Sequence, residues 1–257
     1  MSDLQTAIRH PLRSFGTAMS FLTVFPGFIR FGEEQGYFGS ALYYFTVVGF
    51  LLGCCAAFCG MILQSVASPL VTSVALAIIL SSLSGFLHLD GLADTADGFL
   101  SSEDRARSLE IMKDSRIGVM GAASLVIVLL LKSAALFAIG PQELTGALVC
   151  AAAAGRTAII IVSYFLPYAR AEGGLGQLFR FDQNGYLVPL VSVLLMIVIV
   201  VVMLPAKMLI ILCVFLLLIL VFSGWCIRKI GGFTGDTLGC LCEMMETAIL
   251  LGVGLNF

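Results

Sequence analysis

Apolar stretches of about 20 residues recur along this chain, and a helix of that length crosses the hydrocarbon core of a bilayer with every backbone polar group satisfied. The template fits six segments and part of a seventh, near 40–65, 67–87, 118–138, 145–166, 187–204, 206–223 and 244–257. The first two are separated only around Ser68 and Pro69, and the fifth and sixth only by Leu204 to Ala206, so both pairs read as tight helical hairpins. Charged residues make up 12% of the chain and the mean hydropathy is +1.06, whereas a soluble domain carries about 25% charged residues. The fold class expected is an all-α polytopic transmembrane bundle of six to seven spans, a single integral membrane domain over 1–257. Arg9 and Arg13 precede an apolar stretch near 15–29 that Pro26 interrupts. Without a small-residue cleavage site it reads as an interfacial or re-entrant segment that is retained.

Orientation follows from the basic residues, which are held on the cytoplasmic side of a membrane. Outside the spans, every Lys and Arg except Lys207 falls on one side of this layout. The polar loops at 88–117, 167–186 and 224–243 then share the cytoplasmic face. The 14 basic residues form no run and the net charge is only −2, so no nucleic-acid partner is implied. The eight cysteines contain no CxxC pair and lie mostly in apolar sequence, where they read as small core residues. Gly49 and Gly53 have the spacing of a small-residue contact between helices, as do Gly235 and Gly239.

The chemistry concentrates in the first polar loop. Asp90, Asp94 and Asp97 stand at i, i+4 and i+7, which places them on one narrow face of a helix. Carboxylates crowded at the edge of a bilayer repel one another and lose hydration unless a cation neutralises them. Oxygen ligands select hard ions, and Mg²⁺ in particular shares its shell between protein carboxylates, water and substrate phosphate. Gly91 and Gly98 would let a phosphate approach the backbone. Such aspartates can also form a solvated helix start, but three on one face beside an otherwise uncharged span favour metal.

Glu110 and Asp114 form a second acidic pair, with Lys113 and Arg116 beside them. Asp114 is a further candidate metal ligand or substrate contact. The guanidinium of Arg116 matches a diphosphate or the charge of a phosphoryl-transfer transition state. Residues 231–239, GGFTGDTLG, read as a flexible loop on the same membrane face. Gly232, Thr234 and Gly235 would present amides to an anion, and Asp236 could join a metal shell. Arg156 lies inside the fourth span, where an arginine needs an anionic partner, a phosphate or an aspartate of the cluster. Lys132 and His88 carry no assigned role.

At these residues the chain resembles the cobalamin synthase family, the adenosylcobinamide-GDP ribazoletransferases. The resemblance rests on HLDGLADTADG at 88–98, MKDSRIG at 112–118, YARAEGGLG at 168–176 and GGFTGDTLG at 231–239, with SFLTVFPG at 20–27. Val24 and Val119 stand where many members are expected to carry arginine and threonine. The resemblance implies a Mg²⁺-dependent phosphotransferase of the last steps of cobalamin biosynthesis, in the bacterial inner membrane with its active site facing the cytoplasm. Adenosylcobinamide-GDP would react with α-ribazole 5'-phosphate or α-ribazole to give adenosylcobalamin 5'-phosphate or adenosylcobalamin and GMP. Mg²⁺ would sit on Asp90, Asp94 and Asp97, or a pair of ions would be completed by Asp114 or Asp236, and one aspartate, Asp97 by choice, would accept the hydroxyl proton. Arg116 and residues 231–239 would hold the guanylyl phosphates.

Two rival functions share features with this pattern. A CDP-alcohol phosphotransferase also sets aspartates on membrane helices, but its spaced DGxxAR pattern is missing, LAD following Asp90-Gly91 instead. A cation-coupled transporter would use the carboxylates for a transported ion, yet here charge collects in loops. Besides substrates and lipid, the partners left open are a second copy of the chain and other cobalamin-assembly enzymes.

Overall fold

The computed structural model describes residues 3–25, 37–170 and 185–255. Arg30, Arg180, residues 171–176 of the YARAEGGLG stretch and the end of SFLTVFPG therefore lie outside the described residues. In chain order the helices are α1 (Asp3–Arg9), α2 (Pro11–Leu22), α3 (Phe38–Ala41), α4 (Phe45–Val66), α5 (Pro69–Ser82), α6 (Leu87–Phe99) and α7 (Arg105–Ile111). They continue with α8 (Val119–Ala138), α9 (Pro141–Phe165), α10 (Leu187–Met203), α11 (Met208–Ile230) and α12 (Gly235–Gly254). No strand occurs among the described residues, and Tyr168 and Phe233 form an isolated parallel bridge. Five helices are long and apolar enough to cross a membrane, or six if α5 and α6 count as one bent span. The protein is an all-α polytopic membrane bundle, as its apolar runs predict.

Helix α9 is the axis of the bundle. Its apolar window is 89% buried, against 28% for α8 and for the segment containing α11. Ala151 to Ala154 are fully buried, and their small side chains let neighbouring helices approach closely. A Cβ at Gly49 would lie 2.6 Å from the Ala152 carbonyl oxygen, and one at Gly53 2.5 Å from the Val149 Cα, so the α4–α9 contact requires both glycines. On α11 the outward residues Leu216, Leu217, Leu220 and Val221 stay exposed, as lipid-facing side chains do.

Two boundaries differ from the sequence reading. The expected span at 67–87 stops at Ser82, and the chain turns by 88° into α6. Consecutive left-handed residues, Gly85 (φ 62°) and Phe86 (φ 59°), make that corner. Glycine adopts this conformation freely, whereas Phe86 does so at a cost of about 1–2 kcal/mol. The second difference lies in the supposed loop 224–243. Helix α11 runs to Ile230, closes on Gly231 in the left-handed conformation (φ 76°), and α12 begins at Gly235. Thr234 and Thr237 cap that start reciprocally, each side chain accepting the other's backbone N–H.

These corners decide what meets at each end of the bundle. Helix α6 packs on α12 and α8, at the end that also holds the start of α8 and the close of α9 and α11. Lys207 sits at the opposite end, where its Nζ donates to the Leu255 carbonyl.

Candidate active site

Helix α6 lies close on the first turns of α12 because glycine meets backbone on both sides. A Cβ at Gly91 would fall 2.6 Å from the Asp236 carbonyl oxygen, and one at Gly239 3.3 Å from the His88 Cα. Gly91 is thus filled by protein and not left open to phosphate. The same correction applies to Gly98, whose Cβ position is 2.4 Å from Met112 Cγ. This approach brings the α6 aspartates opposite Asp236 and opens a cavity of about 270 Å³ between the two helices. Asp90, His88, Gly235, Asp236 and Arg170 line it, together with apolar walls from Phe21, Leu87, Ile159 and Leu238.

Asp94 sits half-buried in the fields of Asp90, Asp236 and Asp97, and Arg170 is the cation that opposes them. Among the described residues no hydrogen bond or ion pair engages the Asp90 or Asp94 carboxylate. Asp97 shares their helix face but is turned to α8: Gly118 N–H donates to one oxygen at 2.7 Å and Gly121 N–H to the other at 2.8 Å. It serves as the N-terminal acceptor of a helix whose own cap residue, Gly118, has no side chain to offer. The expected three-aspartate ion cage is therefore not formed. Among the described residues no three His, Cys, Asp or Glu side chains are set to hold a metal ion. Asp114 is likewise engaged elsewhere, accepting from its neighbour Arg116 at 3.0 Å (Nε) and 2.7 Å (Nη2). That pair is solvent-facing, the Arg116 side chain being 87% exposed, and neither residue lines the cavity.

The stretch 231–239 also changes character. Gly232 is needed because the Pro167 carbonyl oxygen lies 2.0 Å from where its Cβ would be, and the Thr234 and Thr237 amides are consumed by the cap. Gly235 and Asp236 do reach the cavity. The segment after α9 is strapped alongside: Phe233 N–H donates to Pro167 at 2.9 Å and Ala169 N–H to Phe233 at 2.8 Å. The strap carries Arg170, whose Nη2 donates to Asp236 Oδ2 at 2.7 Å.

Arg156 does not meet the aspartates on α6. It is fully buried and pairs with Glu246, which with Glu243 also receives Lys132 Nζ, at 2.7 and 2.5 Å. His88, buried between this network and the cavity, leaves Nε2 without a partner among the described residues. The sequence reading missed Arg170, Glu243 and Glu246. For the glutamates the available signal was two acids three apart in the apolar stretch after Cys242, facing Lys132 and Arg156 on other spans. For Arg170 it was a place inside YARAEGGLG. The eight cysteines are free thiols, and Cys150, Cys226, Cys240 and Cys242 are buried.

A family model described as cobalamin-5-phosphate synthase matches residues 14–254. The adenosylcobinamide-GDP ribazoletransferase of Desulforamulus reducens is 38% identical over 237 residues, 92% of this chain and 94% of its own length. Its counterpart in Syntrophobacter fumaroxidans is 36% identical over 92% of this chain and 96% of its own, and that of Stutzerimonas stutzeri 37% identical over 93% and 96%. No solved structure matches the chain. With a family model matched over residues 14–254 and relatives 36–38% identical over more than nine-tenths of its length, the chain belongs to the cobalamin-5-phosphate synthase family.

Proposed function

We propose that this protein transfers the cobinamide-phosphate group of adenosylcobinamide-GDP to α-ribazole 5'-phosphate or α-ribazole. The products are adenosylcobalamin 5'-phosphate or adenosylcobalamin, and GMP. The observation that carries this reading is near full-length similarity to relatives bearing the name adenosylcobinamide-GDP ribazoletransferase, at 36–38% identity. In the transfer a ribose hydroxyl oxygen bonds to the phosphorus attached to cobinamide while the bond from that phosphorus to the GMP oxygen breaks, and the hydroxyl proton passes to water. Little covalent chemistry is asked of the protein, which must align the two oxygens and offset the diphosphate charge.

Asp90, which lines the cavity, and Asp94, one turn further along α6, suit Mg²⁺. That ion takes one or two protein carboxylates and leaves its other positions to water and substrate phosphate, and Asp90 and Asp94 have no competing partner among the described residues. Bound there, the ion would supply neutralisation of the diphosphate's negative charge. Asp236 orients Arg170 toward the same space, and the apolar walls limit water around the phosphorus. The end of the bundle that holds the cavity also holds Arg105, Arg107, Lys113, Arg116, Arg228 and Lys229, which favours its facing the cytoplasm from the bacterial inner membrane.

Membranes containing the protein should release GMP from adenosylcobinamide-GDP only when α-ribazole or its phosphate and Mg²⁺ are both present. Release of CMP from CDP-diacylglycerol with an alcohol acceptor, and no GMP from adenosylcobinamide-GDP, would replace this reading by a lipid phosphotransferase.

A further inference from the structure

The proposed reaction asks for an arginine on the phosphates; the sequence offered Arg116 and Arg156, and the structure adds Arg170. Arg116 lies out in solvent, bidentate on Asp114. Arg156 is enclosed in the membrane interior, bound to Glu246. Arg170 alone of the three lines the cavity that Asp90 and Asp236 share.

Its surroundings distinguish it from a surface ion pair. The side chain is only 12% exposed. One amino group is held by Asp236 at 2.7 Å and the Tyr168 hydroxyl engages the same guanidinium, while the buried Nε has no acceptor among the described residues. A buried guanidinium N–H without an acceptor is costly, and a planar fork held in this way is pre-organised to receive an oxyanion on its Nε–H. The backbone beneath it is fixed at three points, by Phe233 on both sides of Tyr168 and by Arg105 Nη2 donating to the Ala169 carbonyl at 3.2 Å. Around it the aspartates outnumber the cation, so an incoming phosphate needs this positive charge to enter at all.

We infer that Arg170 binds phosphate oxygens of a substrate in this cavity, with Asp236 as the residue that positions its guanidinium. The inference rests on the proposed phosphoryl-transfer reading. The phosphate can come from the guanylyl diphosphate of the donor or from the 5'-phosphate of the acceptor, and the two sources separate experimentally.

The test uses the full-length protein, its Arg170→Lys and Arg170→Gln variants, Mg²⁺, and two readouts. The first is the shift in unfolding temperature produced by GDP and, separately, by α-ribazole 5'-phosphate. The second is KM with α-ribazole and with α-ribazole 5'-phosphate as acceptors. Losing a charge-assisted hydrogen bond should weaken affinity about tenfold to a hundredfold in Arg170→Gln. Arg170→Lys keeps the charge near Asp236 but loses the fork, so it should fold like the parent and still bind about tenfold more weakly. A loss of GDP response with both acceptors affected alike assigns Arg170 to the donor. A KM rise confined to α-ribazole 5'-phosphate assigns it to the acceptor. If Arg170→Lys folds and keeps parental GDP response and KM for both acceptors, the inference is overturned, and Arg170 is only a strap on α12. Should the parent bind GDP through Arg170 yet turn over no acceptor, the proposed reaction falls while the arginine assignment stands.

Discussion

Helix α12 contributes to two charge clusters, and they differ in balance. Near its start, Asp236 joins Asp90, Asp94 and Asp97, with Arg170 as the one cation among the described residues that opposes them. Two turns further in, Glu243 and Glu246 meet Lys132 and Arg156, two acids against two bases, all fully enclosed. The inner set closes its own account of charge and leaves no opening for a ligand ion. The outer set keeps surplus negative charge at a cavity, which is stable when something cationic arrives with the substrate. Charge balance, more than the presence of charge, distinguishes the two clusters.

Breaking the inner balance should have the largest effect. Glu246 is the acceptor common to Lys132 and Arg156, and Glu246→Ala strands Arg156 and leaves Lys132 on Glu243 alone in a medium that cannot solvate an unpaired cation. The expected loss is about 3–5 kcal/mol of stability, read as a marked fall in unfolding temperature of the purified protein. The comparison sharpens with a neutral replacement. Lys132→Met with Glu243→Met removes one charge of each sign and should recover most of what either single change loses, because an apolar pair in this setting is about as good as an ion pair. If the double variant is as unstable as Glu246→Ala, the network does more than balance charge.

Breaking the outer set should spare the fold and remove the chemistry. Asp94→Asn relieves repulsion from Asp90, Asp97 and Asp236, so unfolding temperature should hold or rise. GMP release should fall by about 10²–10³, the usual scale for losing one electrostatic contributor to a transition state. Chelating Mg²⁺ should mimic that loss in the parent. Full activity in EDTA would remove the proposed metal.

The sequence disclosed the two clusters unequally, and for identifiable reasons. Helices α4, α8, α9, α10 and α11 announce themselves as uninterrupted apolar runs. The bend before α6 does not, since residues 67–87 stay apolar straight through a corner made by Gly85 and Phe86. Asp90, Asp94 and Asp97 fall on one face as their spacing requires, but spacing cannot say that α8 lacks a capping side chain and borrows Asp97. Glycines in GGFTGDTLG suggest a loop, whereas three of them have packing or capping duties: Gly231 ends α11, Gly232 yields to Pro167 and Gly239 to α6. Reading that stretch as loop through residue 243 also hid the i, i+3 glutamates on the helix that starts inside it. Arg170 was legible only as one of the basic residues outside the spans, and its contact with Asp236 is a tertiary fact that links segments 66 residues apart.

The smallest effect should come from the second acidic site read in the sequence, Asp114 with Arg116. Asp114 accepts three hydrogen bonds from Arg116, from the backbone N–H, Nε and Nη2, and these hold its carboxyl down at about 2 from the ordinary 3.8. A depressed carboxylate contributes whatever stability it has above its unfolded value, and that contribution fades as pH falls from about 4 toward 2. At neutral pH the pair is fully formed, yet it stands in solvent where attraction is screened and side-chain entropy opposes it. Arg116→Gln should therefore change neither unfolding temperature nor KM measurably near neutrality, while Arg170→Gln raises KM strongly. A large KM increase in Arg116→Gln would mean that this arginine leaves Asp114 and swings over the cavity when substrate binds, and the outer cluster would then carry two cations instead of one.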